Sequence, residues 1–322
     1  MDDDQLQGGG IAAVHRTLPM AQLRTASEKT AVPAIHVAGV TISHPERPIA
    51  EAPGRTKLDV VRYHERIGRW LLPQIAPRPI AVVKCMGGRF DDCFFQKHPS
   101  RRSTEEDGDS PPFMRLADVA DIVRAVQNGG FEFHTWGASF PRLDRPDRIT
   151  LDLDPDAGLS WGAMTDAARR VRTLLDALGL RWFVKTTGGK GLHFVVPITR
   201  RHTWAEAKAF ARAIAERLVQ DEPALFTATV SKEARGGRIY VDYLRNADGA
   251  TAVAAYSLRA RPGLPVSMPI DFDEIAGDDL RGAHFNIDNA EETLAARRVD
   301  PWADYATSRQ TISATMRRAV GA

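Results

Sequence analysis

Cysteine is almost missing from this chain: 322 residues carry two, Cys85 and Cys93. A disulfide framework needs more of them, and a structural zinc site needs His or Cys pairs at zinc spacing, which neither has nearby. Reduced thiols in a cytosolic protein are the expectation. Long apolar runs are also missing, which excludes a bilayer-spanning helix. The start, Met-Asp-Asp-Asp, lacks the apolar stretch of a secretory signal. Net charge is close to nil at +2, so global electrostatics names no partner. No internal repeat or extended low-complexity tract is present. The expectation is a soluble, cytoplasmic protein, long enough to bury a full core as one large domain or two packed lobes.

Charge is present locally instead. Arg55, Lys57, Arg62, Arg66, Arg69, Arg78, Lys84, Arg89, Lys97, Arg101 and Arg102 crowd a region with few carboxylates. That is the footprint of a polyanion-facing surface, and equally of a solvated face. The stretch around which the rest is organised is Arg148-Ile149-Thr150-Leu151-Asp152-Leu153-Asp154-Pro155-Asp156. Its apolar residues alternate with polar ones at the period of a strand, so Asp152 and Asp154 project to one side. Pro155 removes the next backbone donor and closes the strand. Two adjacent carboxylates repel unless a cation lies between them, and hard divalent ions prefer such oxygen ligands. By itself the pair is also what a solvated strand end looks like.

Residues 1 to about 34 read as a flexible extension or linker, 35–300 as the folded body and 301–322 as a C-terminal tail. A strand is expected over Ile35–Ile42 and a helix over Lys57–Leu72, capped by Thr56 and stopped by Pro73. A strand follows over Ile80–Met86, a turn at Gly87-Gly88, and then Cys93–His98, where Phe94 and Phe95 stand beside Lys97; such a set stacks a base and holds a phosphate, or packs a core. Ser100–Pro112 reads as an acidic surface loop, Leu116–Gln127 as an amphipathic helix, and Phe131–Gly137, bearing His134, as a strand. After a helix over Trp161–Leu178 and a strand over Arg181–Lys185 comes the turn Thr186-Thr187-Gly188-Gly189-Lys190-Gly191, then the strand Leu192–Pro197. Exposed amides, hydroxyls and a lysine suit a phosphate, although the turn leads into a strand and is not a Walker A loop. Trp204–Leu218 is an amphipathic helix. Gly237–Tyr243 places a third carboxylate, Asp242, on a strand, and Ala252–Arg261 is a strand ending in two arginines.

The set Leu-Asp-Leu-Asp-Pro, Thr-Gly-Gly-Lys-Gly-Leu-His and Tyr-Val-Asp-Tyr-Leu-Arg-Asn resembles the polymerase domain of bacterial ligase D. That family lies within the archaeo-eukaryotic primase-polymerase superfamily and serves non-homologous end joining. The resemblance runs from about Val37 to about Pro301 and takes in His44-Pro45-Glu46-Arg47, Cys93 to His98, His134-Thr135-Trp136-Gly137 and Tyr256-Ser257-Leu258-Arg259. It implies an α+β fold with two packed mixed β-sheets flanked by helices. Asp152, Asp154 and Asp242 match its metal-binding carboxylates, for two Mn²⁺ or Mg²⁺ ions. His134, Thr187, Lys190 and Arg259 match residues handling the incoming triphosphate, and the turn motif brings Gly188, Gly191 and His193 into that set. Phe94, Phe95 and Lys97 match the base and template contacts, and Arg47 and Lys57 the residues that grip a 5′-phosphate. Two departures stand out. Thr187 replaces the usual Ser, and Pro48-Ile49-Ala50-Glu51 replaces an apolar-Tyr-Pro run. No ligase or 3′-processing motif accompanies these, so the expectation is a stand-alone polymerase or an excised domain with its linker.

The implied reaction is template-directed nucleotidyl transfer from a nucleoside triphosphate to a primer 3′-hydroxyl, with a preference for ribonucleotides. The implied partners are DNA with gaps, overhangs or double-strand breaks, together with Ku and a DNA ligase. A metal-dependent nuclease or phosphodiesterase would use a similar carboxylate set without needing a triphosphate cradle. A non-catalytic DNA-end-binding module would need no carboxylate triad at all.

Overall fold

The computed structural model describes residues 34–98, 113–231, 233, 235–277 and 280–322. Expectations placed on residues 1–33, on the Ser100–Pro112 loop and on Arg101 and Arg102 lie outside these. The fold is α+β. Strands β1 (Ile35–Val37) and β2 (Val40–Ile42) form a small hairpin where one strand was expected. Ala38 and Gly39 both take positive φ between them, 47° and 76°, which is what a two-residue hairpin turn requires.

Helix α1 (Lys57–Ile75) begins with a reciprocal capping box between Thr56 and Asp59. Pro73 does not stop it: so near the end a proline forfeits one bond, and Ala76 still donates to the Leu72 carbonyl at 2.9 Å. Strands β3 (Ile80–Cys85), β4 (Cys93–Gln96), β5 (Gly130–Trp136) and β11 (Thr251–Val253) make a four-stranded sheet in the order β11-β5-β3-β4. Helix α2 (Val119–Gln127) packs with α1 beside it.

The second sheet has six strands. They are β6 (Arg148–Pro155), β7 (Phe183–Thr186), β8 (Leu192–Pro197), β9 (Phe226–Thr227), β10 (Ile239–Asp242) and β12 (Pro269–Ile270), in the order β12-β7-β8-β6-β10-β9. Only the β9–β10 pair is parallel. The expected α+β fold with two main sheets is present; the six-stranded sheet is mixed, and every pair in the four-stranded one is antiparallel. Helices α3 (Trp161–Ala177) and α4 (Trp204–Asp221) pack with this half. Beyond Val253 the chain crosses between the sheets: Ala254 donates to the Phe133 carbonyl on β5 at 2.8 Å, and Thr186 on β7 donates to the Met268 carbonyl at 2.9 Å. One continuous hydrophobic core results.

Two short helices, α5 (Ala290–Ala296) and α6 (Ala314–Val320), follow. Residues past 300, expected as a tail, pack onto the body: Trp302, Ile312 and Val320 are buried, and the Trp302 indole donates to the Val184 carbonyl at 2.9 Å.

The expectation of reduced thiols is also corrected. The β3–β4 register sets Cys85 opposite Cys93, with Cα atoms 4.2 Å apart, and the two form a disulfide. Zinc spacing was the wrong test for them, because hairpin pairing brings together residues eight apart in sequence. No helix among the described residues is long and apolar enough to cross a membrane.

Candidate active site

Alternation along β6 puts Asp152 and Asp154 on one side of the strand. Strand β10 runs antiparallel beside it with Asp242 opposite Asp152 and Tyr240 opposite Asp154. One oxygen from each of the three carboxylates lies within 4.8 Å of the others. Asp152 and Asp242 are buried and Asp154 half-buried. Burial and the neighbouring Asp152 charge push Asp154 up to about 6, and burial likewise raises Asp242 against the pull of Arg245. Burial would raise Asp152 too, but His193, Arg245 and Lys185 hold it well below the usual carboxylate range.

The counter-charges are close. Arg245 Nε lies 3.1 Å from Asp152 and 3.2 Å from Asp242. His193 Nε2 stands 3.2 Å from Asp152 Oδ1 without hydrogen-bond geometry, so that oxygen is buried with no donor. Lys185, paired across strands with His193, is wholly buried, and its ammonium donates to Ser267 Oγ at 2.5 Å. Burial draws its pKa far below that of an ordinary lysine. Three converging carboxylates, one with an unsatisfied buried oxygen, are a fitting donor set for hard divalent cations.

The glycine turn joins β7 to β8 against this group. Thr187 Oγ1 donates to the Gly191 carbonyl at 3.1 Å and accepts from the Gly189 and Gly191 amides at 3.2 and 3.3 Å. Threonine thus preserves the hydroxyl's work, but it also occupies two of the amides expected to face a phosphate. Gly191 has a physical necessity: a Cβ there would lie 2.0 Å from the Leu153 carbonyl oxygen of β6. Gly188 takes φ +65°, and a Cβ on it would lie 2.6 Å from Arg259 Cγ. Lys190 is exposed at the tip.

His134 enters from the other sheet. Its Nε2 contacts Glu132 at 2.7 Å, and Arg259 Nε lies 3.0 Å from the same carboxylate. Burial opposes charge on Glu132, but His134, Arg259 and the Ala260 amide outweigh it and hold the carboxyl down at about 2. His134, Asp152, Asp154, Thr187, Lys190, His193 and Arg259 line one cavity of about 500 Å³, joined by Arg235, Arg245 and Arg261. Asp242 adjoins it through the triad.

The remaining expected residues gather in a second cavity of about 970 Å³, lined by Arg47, Lys57, Phe94, Phe95 and Lys97 together with Lys84 and Met86. Phe94 and Phe95 are 49% and 55% exposed, unusual for aromatics and unlike core packing. Lys57 opens α1, but the helix end offers a phosphate little. The first amides of α1 are not free for a phosphate, because Lys57 and Leu58 donate to the Arg47 and Pro45 carbonyls and Asp59 to Thr56 Oγ1. Lys57 instead contributes its side chain, whose ammonium donates to the Ser43 carbonyl at 2.8 Å.

Arg245 and Arg261, present in the sequence motifs without an assigned role, and Arg235, Lys185 and Glu132, not singled out at all, join the site. Glu132 and Arg245 had a local signal, lying two residues before His134 on one strand face and three after Asp242. Lys185 and Arg235 reach the site by cross-strand and loop placement, which no local spacing announces.

Comparison with known proteins adds the following. Residues 56–302 match the family model described as LigD, primase-polymerase domain. The chain is 46% identical over 294 residues to the multifunctional non-homologous end joining protein LigD of Pseudomonas aeruginosa, covering 88% of this chain and 35% of that protein. It is 31% identical over 285 residues to the LigD protein of Mycolicibacterium smegmatis, covering 84% and 37%. Among solved structures it is similar to the polymerase domain from Mycobacterium tuberculosis ligase D in complex with DNA, with a TM-score of 0.72, 27% identity, and coverage of 80% of this chain and 94% of that one. The chain spans about a third of the length of these curated relatives.

Proposed function

The chain belongs to the LigD primase-polymerase domain family, whose reaction is template-directed nucleotidyl transfer, and from that premise we propose that it fills gaps and extends ends of broken DNA in non-homologous end joining. The observation that carries this reading is the convergence of Asp152, Asp154 and Asp242 beside a cavity whose other wall is cationic. In the reaction a primer 3′-oxygen loses its proton and bonds to the α-phosphorus of a nucleoside triphosphate, the bond to the β-phosphate oxygen breaks, and pyrophosphate leaves. The three carboxylates would hold two Mn²⁺ or Mg²⁺ ions, which when bound acidify the attacking hydroxyl and neutralise the triphosphate. Arg259, Lys190, Arg261 and His134 supply positive charge and donors for the tail. Gly188 and Gly191 let the turn approach closely enough for Thr187 and Lys190 to take part. His193 stands behind Asp152 at 3.2 Å, opposite the oxygen left for a cation.

The larger cavity suits the DNA. Its exposed aromatics offer stacking faces, and Arg47, Lys57 and Lys97 offer charge for phosphates. The solved relative is in complex with DNA, which supports this assignment. A preference for ribonucleotides, partnership with Ku and a DNA ligase, and a nucleoid-associated location in the bacterial cytoplasm belong to the same proposal.

The test is incubation with a labelled gapped duplex, Mn²⁺ and nucleotides. Extension is expected. Shortening of the label would replace the reading with a nuclease, and a gel shift without chemistry would leave an end-binding module.

A further inference from the structure

Glu132 has more partners than a structural carboxylate in a strand needs. It is 5% exposed on β5, two residues before His134 and so on the same face. Its Oε2 meets His134 Nε2 at 2.7 Å and Arg259 Nε at 3.0 Å, while Oε1 accepts from the Ala260 amide at 2.8 Å. Arg259 then reaches the opposite sheet, where Nη1 donates to the Thr187 carbonyl at 2.5 Å. One carboxylate on the four-stranded sheet thereby sets the distance to the glycine turn on the six-stranded sheet. Gly188 leaves the passage open, since a Cβ would collide with the Arg259 stem.

The contact also settles which histidine nitrogen is free. An acceptor facing Nε2 keeps the proton there, so Nδ1 is the nitrogen left for the cavity. In the neutral ring Nδ1 is an acceptor and repels a phosphate oxygen. Once an anion arrives, the ring gains by taking a second proton at Nδ1, with Glu132 balancing the charge. The charged groups facing the ring are Glu132 on its own strand, Arg259 from the crossing segment and Arg245 after β10. Its strand neighbours Ala81 and Val253 are apolar, and Phe95 packs edge-on at 5.1 Å.

We propose that Glu132 is a positioning residue for the polyphosphate tail: it holds the Nε2 proton of His134, so that Nδ1 takes up the proton that donates to a bound triphosphate, and it braces Arg259 across the glycine turn as a second donor. This rests on the nucleotidyl-transfer reading of the same cavity. Glu132 touches neither the reacting atoms nor the carboxylate triad.

The test uses the full chain, labelled with ¹⁵N-histidine and titrated with inorganic tripolyphosphate at neutral pH. His134 is identified by the signal that disappears in His134→Asn. The parent should show the Nε2–H pattern alone, moving to the doubly protonated pattern as tripolyphosphate binds. Glu132→Gln should lose the fixed tautomer, stay neutral on titration and bind about tenfold more weakly, the size of one charge-assisted hydrogen bond. Affinity for a gapped duplex should change far less than that for tripolyphosphate, because Arg47, Lys57 and Lys97 of the larger cavity are unaltered. If Glu132→Gln keeps both the tautomer and the affinity, the proposal is overturned. Should that variant not melt cooperatively, Glu132→Asp replaces it; it keeps the charge, withdraws it by one methylene, and is expected to lose the tautomer, while retention of the parental pattern again overturns the idea. If the parent itself ignores tripolyphosphate, the triphosphate cradle is wrong, and the tautomer of the free protein still decides whether Glu132 orders His134.

Discussion

At the scale of single residues, the carboxylate triad is kept at an electrostatic cost. Asp154 is pushed up to about 6 by burial and by Asp152, so its charge opposes the fold when no cation is near. Asp154→Ala should therefore leave the melting temperature of the metal-free protein unchanged or raised. The same variant should lose nucleotide addition by at least about a hundredfold, since a ligand to the ions that stabilise the transition state is gone. Comparable extension rates under saturating Mn²⁺ would remove Asp154 from the site. A second residue-scale prediction concerns His64, wholly buried against Tyr63 and Phe133. Its Nδ1 meets the Val60 carbonyl at 2.8 Å and its Nε2 has no partner. Burial lowers its pKa to about 4 from an ordinary 6.5. The folded state then binds fewer protons than the unfolded state between those values. The stabilisation is complete above 6.5 and drains away as the pH falls toward 4, by about 2 kcal/mol between pH 7.5 and 5. Urea unfolding at both pH values should show a shallower acid loss for His64→Leu, and equal slopes would refute the assignment.

At the scale of elements, β4 is an edge strand that among the described residues pairs only with β3, yet it carries Phe94 and Phe95. The Cys85–Cys93 bridge anchors its start. Closing so short a loop contributes about 2–3 kcal/mol in the chain-entropy picture, and on an edge strand the loss should be felt locally before it is felt globally. Reduction, or Cys93→Ser, should speed amide hydrogen exchange of Phe94 and Phe95 while β6 and β8 exchange as before. Uniform protection after reduction would show that pairing with β3 suffices. Elements of this kind also show what was legible. Strand β8 was readable to the residue and β6 to within one, since alternation and a closing proline are local signals. The β1–β2 turn and the end of Ala252–Arg261 were not: both depend on positive φ at non-glycine residues, Ala38 and Tyr256, which tertiary contacts must hold in place. The triad was legible because each carboxylate sat on a recognisable strand, whereas its arginine and lysine counter-charges arrive by long-range packing.

At the scale of the whole molecule, the two cavities are neighbours through one contact: Phe95 lines the larger and packs edge-on against His134 of the smaller. On the proposed reading, chemistry at a 3′ end and recognition of what lies beyond the gap share a wall. The far end of a gap is marked by a 5′-phosphate, which carries more charge than an internal diester and needs no sequence readout. Arg47 and Lys57 meet at the start of α1, where the Lys57 amide bonds the Arg47 carbonyl at 2.8 Å. With the helix amides already satisfied, the side chains must supply the attraction. Lys57 is suited to this: it is largely buried yet lines the cavity, and burial together with Arg47 lowers its pKa, so a phosphate dianion entering there relieves a crowded positive pair. The parent should fill a gap bearing a 5′-phosphate faster than the same gap ending in a hydroxyl, by about tenfold for one charge-assisted contact. Lys57→Ala should lose most of that preference while extending a simple primed template at the parental rate, since the triad and the glycine turn are unaltered. Raising the salt should shrink the parental preference and leave the variant little changed, because a charge contact is what differs between them. A parent indifferent to the phosphate would dismiss the pocket. A variant that keeps the preference would move the anchor from Lys57 to Arg47 or to Lys84 and Lys97 on the same wall.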